Sequence, residues 1–265
     1  MKTSWFKPAA RAGYAARGVI YGTVAVLTMV TAFLAGASDG PKDAISTIAR
    51  QPFGKILLVL LLAGLLGYVA WRLIQSLLDT DDHGWGVKGL AIRLGLLASA
   101  GTYSVLSLFV LALLGPGSSD GGSGGAVQAA LDWVTGVLGA WPVFLAMGFA
   151  FLGIGGAHFW KAIKGKYEDH LEADAAAMAL IHPISVTGLS ARGLVFVILA
   201  FLIFSQIVSG VRSPQSKPGL EDALTFLQDM PFGSALMFLM GAGLGAFALY
   251  SFTLARWRRI NIDDI

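Results

Sequence analysis

Long apolar stretches alternate with short polar ones along the whole chain. A transmembrane helix needs about 20 consecutive apolar residues, and windows of that length fall at residues 13–36, 55–78, 88–114, 140–163, 188–209 and 233–256. The run ILLVLLLAGLLGYVAW, at residues 56–71, leaves no polar face for water. We therefore predict an all-α polytopic membrane protein, with six transmembrane helices in one membrane domain over residues 1–265.

Short amphipathic segments precede the second, fourth and sixth spans. Residues 43–50, 126–134 and 220–228 place apolar side chains at helical spacing but are too short to cross a bilayer. We expect each to form a short helix in the extracytoplasmic interface. Asp43 and Asp222 stand near the starts of two of these helices, where a carboxylate can cap free amide groups.

The first and third amphipathic segments are followed by nearly the same sequence, QPFG at 51–54 and MPFG at 230–233. Proline lacks a backbone N–H and ends a helix, and glycine lets the backbone turn sharply. The structural turn residues are therefore predicted to be Pro52, Gly54, Pro231 and Gly233.

The chain also resembles itself at three places. The sequences GYAAR at 13–17, GLAIR at 89–93 and GLSAR at 188–192 each open an odd-numbered span, and DAISTIARQPFG at 43–54 aligns without gaps on DALTFLQDMPFG at 222–233. These matches predict three tandem two-helix repeats in a pseudo-threefold arrangement, at approximately 9–80, 86–166 and 183–260. The middle copy lacks the Pro-Phe-Gly sequence.

Charge is scarce and unevenly distributed. Of the residues, 55% are hydrophobic and 13% charged, about half the charged share of soluble domains. The side of the membrane that holds both termini carries 14 of the 19 lysines and arginines, so the positive-inside rule predicts cytoplasmic termini. The same rule explains the net charge of +3 without a nucleic-acid partner, for which the sequence has no motif.

Residues that could carry catalysis or bind a metal are few. The chain has no cysteine, which excludes disulfides, thiolate metal sites and thiol catalysis. Its four histidines are His83, His158, His170 and His182, and none has a second ligand at a convincing metal spacing. We therefore predict no enzyme activity, no metal and no cofactor. The predicted spans contain no Asp or Glu, which argues against proton-coupled transport.

Four sequences together resemble one known family: G-[YL]-[AS]-A-R-G opening a span, QPFG, YVAWRLIQSLLD at 68–79 and ARWRRI at 255–260. Over nearly the whole chain they are similar to the bacterial membrane proteins of the domain-of-unknown-function 1206 family. The resemblance implies six helices in three repeats and a multi-pass location in the bacterial cytoplasmic membrane. It implies no activity.

Three arginines, Arg17, Arg93 and Arg192, stand at matching places in the three repeats. Each could extend to the cytoplasmic headgroups and fix orientation. Alternatively, the three could form a basic vestibule that binds a small anion or a lipid headgroup. The second interpretation draws on length, because the 16 residues from Arg192 to Val208 span only about 24 Å of helix against a hydrocarbon core of about 30 Å.

The uncharged polar residues of the spans concentrate on the odd-numbered helices. Their hydroxyl groups either bond to their own backbone or across to a neighbouring helix, or else they line a weakly polar axis between the odd-numbered helices. Function is therefore predicted as a channel or transporter for a small anionic solute or, alternatively, as a non-catalytic structural protein that interacts with lipids or a partner. Glycine-packed helices would favour the alternative. Membrane lipids are the expected partners, and the sequence predicts no oligomeric state.

Overall fold

The computed structural model describes residues 6–32, 41–81, 83–115, 135–209 and 219–259. The described helices are α1 (Phe6–Thr31), α2 (Pro41–Ala49), α3 (Gly54–Leu78), α4 (Val87–Leu114), α5 (Ala140–Ile163), α6 (Ala175–Val208), α7 (Leu220–Gln228) and α8 (Gly233–Trp257). Six of them, α1, α3, α4, α5, α6 and α8, are long and apolar enough to cross a membrane. The prediction of an all-α protein with six such helices is confirmed.

The short helices α2 and α7 correspond to two of the three predicted amphipathic segments. The third segment, 126–134, lies outside the described residues, as do residues 33–36 of the first predicted span. In α7 the carboxylate of Asp222 accepts a hydrogen bond from the backbone N–H of Gly219 at 2.7 Å, which is the capping role predicted for it. The side chain of Asp43 is not among those described.

The predicted start of the fifth span is wrong. Helix α6 begins at Ala175, 13 residues before the predicted start at Gly188, and continues through Pro183. The Asp174 carboxylate caps it by accepting a hydrogen bond from Ala177 N at 2.7 Å. Arg192 is therefore the eighteenth residue of a 34-residue helix, so the distance from Arg192 to Val208 does not set its depth.

The chain divides into two compact units. The first unit contains α1 as far as Val19, α2 from Ile45, α3, α4, and α8 from Ser251 onward. The second unit contains α1 from Ile20, α2 as far as Ala44, α5, α6, α7, and α8 as far as Tyr250. Three helices, α1, α2 and α8, thus contribute to both units.

The second unit is packed around a buried apolar cluster to which α1, α6, α7 and α8 all contribute. Its buried members are Val24, Ala25, Ala32, Val195, Ile198, Leu199, Ala223, Leu224, Leu227, Met237, Met240 and Leu244. Glycines bring helices of this unit together: a Cβ on Gly241 would lie 2.7 Å from Met29 Cγ, and one on Gly155 would lie 3.0 Å from the Gly193 carbonyl oxygen. Such close approach is how membrane helices pack through small residues.

The turns after α2 and α7 have the same geometry. Phe53 and Phe232 adopt left-handed backbone conformations, with φ of 62° and 63°, and their side chains are 78% and 86% exposed. A glycine follows each phenylalanine, and it is required because there is no room for a side chain. A Cβ on Gly54 would lie 2.0 Å from the carbonyl oxygen of Ala49, and one on Gly233 would lie 2.0 Å from that of Gln228.

A constant offset of 179 residues relates α2 to α7 and α3 to α8, at both ends of each helix. Burial follows the same offset: Ile45 and Leu224 are both buried, as are Leu65 and Leu244. The first and third predicted repeats therefore correspond in detail at these positions. Equivalence of all three copies stays a prediction.

Candidate arginine–tyrosine site

Arg17 lies buried in α1 within the first unit. Its Nε donates to Ser251 Oγ at 3.1 Å and its Nη1 donates to Tyr68 Oη at 2.9 Å. The guanidinium carbon also lies 5.2 Å from the ring centre of Tyr14 and 5.4 Å from that of Tyr68. Because hydrogen bonds and ring faces both stabilise a guanidinium away from water, Arg17 joins α1 to α3 and α8.

Arg93 is also buried in the first unit, at the start of α4, where it caps α3. Its Nε donates to the Ser76 carbonyl oxygen at 2.7 Å and its Nη2 to the Leu77 carbonyl oxygen at 2.9 Å. The last carbonyl groups of a helix have no partner within it and carry partial negative charge. Arg93 satisfies two of them and stacks at 4.1 Å from the ring centre of Trp85.

Arg192 lies half-buried in α6 within the second unit, surrounded by aromatic rings. Its guanidinium carbon is 4.6 Å from the ring centre of Phe247, 4.9 Å from that of Tyr21 and 5.5 Å from that of Phe196. The contacts given above for the three predicted arginines have no residue in common. The shared basic vestibule therefore stays a prediction.

The sequence interpretation missed Arg72, which meets Arg17 at the same tyrosine. Arg72 Nε donates to Tyr68 Oη at 2.9 Å, and Arg72 Nη1 donates to Gln75 Oε1 at 3.0 Å. The oxygen of Tyr68 thus accepts hydrogen bonds from two guanidinium groups. Tyr68, Arg72 and Gln75 follow at helical spacing within YVAWRLIQS, so a polar stripe on one face of α3 was the available signal.

A third arginine completes this network from the end of α8. Gln75 Nε2 donates to Asp81 Oδ2 at 2.8 Å, and Arg258 Nη2 forms an ion pair with the same oxygen at 3.2 Å. The Arg258 guanidinium also lies 5.6 Å from the ring centre of Tyr14. We call Arg17, Tyr68, Arg72, Gln75, Asp81 and Arg258 the arginine–tyrosine network.

The turn that joins α3 to α4 is held by Asp79. Its carboxylate accepts hydrogen bonds from the backbone N–H of His83 at 2.9 Å and of Gly84 at 2.7 Å. The His83 bond is the main reason why the pKa of Asp79 lies below the ordinary value of 3.8. Burial opposes this lowering, while the Gly84 bond and the charge of Arg93 add to it.

The connection between α5 and α6 in the second unit is organised by a buried phenol. Tyr167 Oη lies 2.6 Å from His182 Nδ1, which lies 3.1 Å from Glu168 Oε1. Burial, and then the charge of Glu168, raise the pKa of Tyr167 to about 12. Among the residues that the structure describes, no three acidic or histidine side chains lie together as a metal site would require.

Several hydroxyl groups of the long helices bond to the backbone of their own helix. Thr102 Oγ1 donates to the Ala98 carbonyl at 3.1 Å, Ser107 Oγ to the Tyr103 carbonyl at 2.8 Å, and Ser205 Oγ to the Leu202 carbonyl at 2.8 Å. The sequence left open whether such hydroxyls bond within the helices or line a polar axis, and these three bond to a carbonyl three or four residues earlier in their own helix.

Comparison with known proteins places these helices in a family. The profile described as "Domain of Unknown Function (DUF1206)" matches residues 12–79 and 187–258, which include all of α3 and all of α8. The chain is 27% identical to the "Uncharacterized protein YxxB" of Bacillus subtilis (strain 168), over 93% of this chain and 89% of that protein. No solved structure matches. Since the two matched regions cover more than half of the 265 residues, the chain belongs to the DUF1206 family.

Proposed function

We propose that this chain is a non-catalytic, multi-pass protein of the bacterial cytoplasmic membrane that acts by associating with anionic lipids of the inner leaflet. The observation that carries the proposal is a pair of exposed tryptophans, each with a basic side chain over its ring. Trp85 is 81% exposed with Arg93 at 4.1 Å, and Trp160 is 61% exposed with the Lys164 ammonium at 5.4 Å.

Indole rings collect at membrane interfaces, where one end is apolar and the other meets water. The exposed Lys164 beside Trp160 can attract lipid phosphate groups at this level, whereas the buried Arg93 packs against Trp85. Trp85 lies between α3 and α4, and Trp160 lies in the last turn of α5. Both are on the side that the distribution of lysine and arginine predicts to be cytoplasmic. The proposed orientation, with both termini cytoplasmic, rests on this distribution.

The opposite ends of the helices support association with lipid in a second way. Phe53 and Phe232 expose large apolar rings next to the short amphipathic helices α2 and α7. Such helices lie along the interface with their apolar side chains in the acyl boundary. The exposed phenylalanines are then covered by the outer leaflet.

Transport of a small anion, the other function predicted from the sequence, needs polar groups along a path through the helices. The hydroxyls of Thr102, Ser107 and Ser205 instead bond to their own backbone. Glycines such as Gly155 and Gly241 are used for close helix packing. These contacts support the lipid-associated alternative.

Retention of lipid by the purified protein tests the proposal. In native mass spectrometry we expect several-fold more phosphatidylglycerol than phosphatidylcholine to remain bound after delipidation and exchange. Replacing Lys161, Lys164 and Lys166 together by Gln should reduce this preference without reducing total lipid, because the apolar surface is unchanged. Equal retention of the two lipids by the wild-type protein would contradict the proposal.

A flux assay separates the two functions. Liposomes that contain the protein should release chloride and phosphate no faster than empty liposomes. Release above that background, abolished in the triple variant Arg17→Gln, Arg93→Gln, Arg192→Gln with insertion intact, would establish transport instead.

A further inference from the structure

We propose that the turn between α2 and α3 binds the headgroup of an anionic lipid, and that the corresponding turn between α7 and α8 contacts lipid without this charge preference. The first turn has the sequence RQPFGK at 50–55, and the second turn has DMPFGS at 229–234. The inference goes beyond the proposed function, which rests on basic side chains at the other ends of the spans.

Each turn holds a phenylalanine in a backbone conformation that favours glycine. In the first turn Gly54 N donates to the Gln51 carbonyl oxygen at 2.8 Å, and the corresponding bond of the second turn is 2.9 Å long. Phe53 and Phe232 therefore stand third in a four-residue turn, with φ of 62° and 63°. Glycine or asparagine adopts this conformation readily, whereas a bulky side chain is strained in it.

The two rings contribute little to the packing of the chain itself, since they are 78% and 86% exposed. Helices α3 and α8 begin directly after them, and each has 25 residues. At 1.5 Å per residue each helix is about 38 Å long, against a hydrocarbon core of about 30 Å. The rings therefore lie at the membrane interface. Strain that is kept at so exposed a position points to a contact outside the chain.

The side chains around the two rings differ in charge. Arg50 and Lys55 flank Phe53 and are both exposed, whereas the residues 179 positions later are Asp229 and Ser234, also exposed. The first turn therefore carries two positive charges and the second a single negative one. A basic pair beside an apolar ring complements an anionic headgroup, and a carboxylate repels it.

The backbone brings the two cations of the first turn close to each other. A Cβ on Gly54 would lie 2.7 Å from the carbonyl carbon of Ala49, and these two residues are covalently joined to Lys55 and Arg50. Standard bond lengths then place the backbone nitrogens of Arg50 and Lys55 less than about 9 Å apart. Two long, exposed side chains that start this close can reach one phosphate group.

The surface next to Lys55 changes from polar to apolar within one residue. Ile56 is 59% exposed and Leu60 is 65% exposed, on a helix apolar enough to cross a membrane. Because lipid tails surround such side chains, Lys55 lies at the edge of the hydrocarbon core. This is the depth of a lipid phosphate, so the ligand that fits the turn is a lipid headgroup.

The experiment places one fluorescent label in each turn, which is direct because the chain contains no cysteine. Gln51→Cys and Met230→Cys attach bimane at corresponding exposed positions. The full-length protein is reconstituted in phosphatidylcholine vesicles that contain a small fraction of nitroxide-labelled phosphatidylglycerol or, separately, of nitroxide-labelled phosphatidylcholine. Quenching of bimane measures the relative affinity of each turn for the two lipids.

At residue 51 we expect a relative affinity about fivefold in favour of phosphatidylglycerol, since basic side chains near a membrane surface contribute on that order. At residue 230 the two lipids should quench equally. Replacing Arg50 and Lys55 together by Gln should abolish the preference at residue 51. Conversely, Asp229→Arg with Ser234→Lys should create a preference at residue 230.

The ring and the cations have roles that a single substitution separates. Phe53→Asn keeps the left-handed conformation, which asparagine tolerates, and removes the ring. Quenching by both lipids at residue 51 should fall while their ratio is kept, because the ring anchors the turn and the cations select the headgroup. Unchanged quenching by both lipids would overturn the role assigned to the ring.

Equal quenching by the two lipids at residue 51, or a preference that survives the loss of both cations, would overturn the site. So would an equally strong preference at residue 230 of the otherwise unchanged chain. The matched control replaces Lys161, Lys164 and Lys166 by Gln, at the C-terminal end of α5, and should leave the preference at residue 51 unchanged. No preference at residue 51, with lysine-dependent retention of phosphatidylglycerol preserved, would remove only this inference. The opposite pair of results would remove only the proposed function.

Discussion

Arg17 and Arg192 occupy corresponding places in the two units, and each unit stabilises its guanidinium group within an apolar helix bundle by different contacts. Each arginine stands four residues after a glycine. The Arg17 guanidinium packs against Tyr68 and the Arg192 guanidinium against Phe247, and these two rings are separated by the same 179 residues that relate α3 to α8. In the first unit the ring carries a hydroxyl, so Arg17 donates a hydrogen bond to it. In the second unit the ring has none, and Arg192 lies over its face at 4.6 Å. The Tyr68 hydroxyl is thus one difference between the polar network around Arg17 and the aromatic rings around Arg192.

The backbone beneath the two arginines is the same. A Cβ on Gly13 would lie 2.5 Å from the Cα of Tyr68, and one on Gly188 would lie 2.6 Å from the Cα of Phe247. Close backbone contact is therefore common to both units, and the side chains around it differ. The close helix contact at Gly13 and at Gly188 therefore does not depend on whether the neighbouring side chains are polar or aromatic.

The largest effect should come from filling those contacts. We expect Gly13→Ala and Gly188→Ala each to lower the free energy of unfolding by about 3 kcal/mol, since the added methyl meets a backbone that cannot move aside. The measurement is unfolding of the purified protein in detergent, followed by circular dichroism. Gly101→Ala and Gly153→Ala are matched controls, because nothing lies within 4 Å of either added Cβ. Those controls should be neutral or slightly stabilising, as alanine favours helix.

A loss in only one of the two glycine variants would break the correspondence between the units. Equal losses in the variants and the controls would show that the added methyl acts on the helix itself rather than on its neighbour.

An intermediate effect on stability should follow from removing the hydroxyl of Tyr68 or from adding one at Phe247. Tyr68→Phe leaves Arg17 and Arg72 without their common acceptor and should destabilise the protein by about 1–3 kcal/mol. Phe247→Tyr adds a hydroxyl to the ring beside Arg192 and should change stability by less than about 1 kcal/mol. Thermal unfolding of both variants under the conditions used for the glycines measures this asymmetry. Equal effects of the two substitutions would mean that the network is not held by Tyr68.

The smallest effects should appear at opposite extremes of pH. The pKa of Asp79 is lowered in the folded state, so its contribution to stability is present above pH 3.8 and is lost as the pH falls through the folded value. The difference in unfolding temperature between the wild type and Asp79→Asn should be constant near neutrality and shrink below about pH 4. A difference that grows on acidification would contradict the assigned hydrogen bonds.

Tyr167 should act at the alkaline end. Folding raises its pKa from 10 to about 12, so its contribution is complete below pH 10 and is lost as the pH rises toward 12. Tyr167→Phe cannot ionise at this position. Its unfolding temperature should therefore fall less steeply between pH 10 and pH 12 than that of the wild type, with His182→Gln as the control that keeps the phenol. The same slope in the wild type and Tyr167→Phe would show that Tyr167 does not titrate there.

Much of the fold was accessible from the sequence because apolar length is a local property. The start of α3 at Gly54, of α4 at Val87, of α5 at Ala140 and of α8 at Gly233 all lie within one residue of the predicted starts. The start of α6 was missed because Asp174 caps the helix well before its apolar part begins. Hydropathy reports where lipid can surround a helix and does not report where its hydrogen bonding starts.

The candidate site was less accessible. The matching sequences identified Arg17, Arg93 and Arg192 as comparable, yet gave no partner for any of them. They did not identify Arg72, which donates to Tyr68 from within α3. The role of Arg72 depends on residues 55 and 186 positions away, Arg17 acting through Tyr68 and Arg258 through Asp81 and Gln75.

The sequence by itself determined the class of the protein, the number and approximate limits of its apolar helices, and the family motifs, because each of these is written in consecutive residues. Only the tertiary structure decided what the arginines do. A guanidinium inside an apolar protein is stabilised by the acceptors and rings that other helices bring to it, and equal sequence motifs meet unequal surroundings. Arg17 therefore became part of a polar network, Arg93 a helix cap and Arg192 the centre of an aromatic cage.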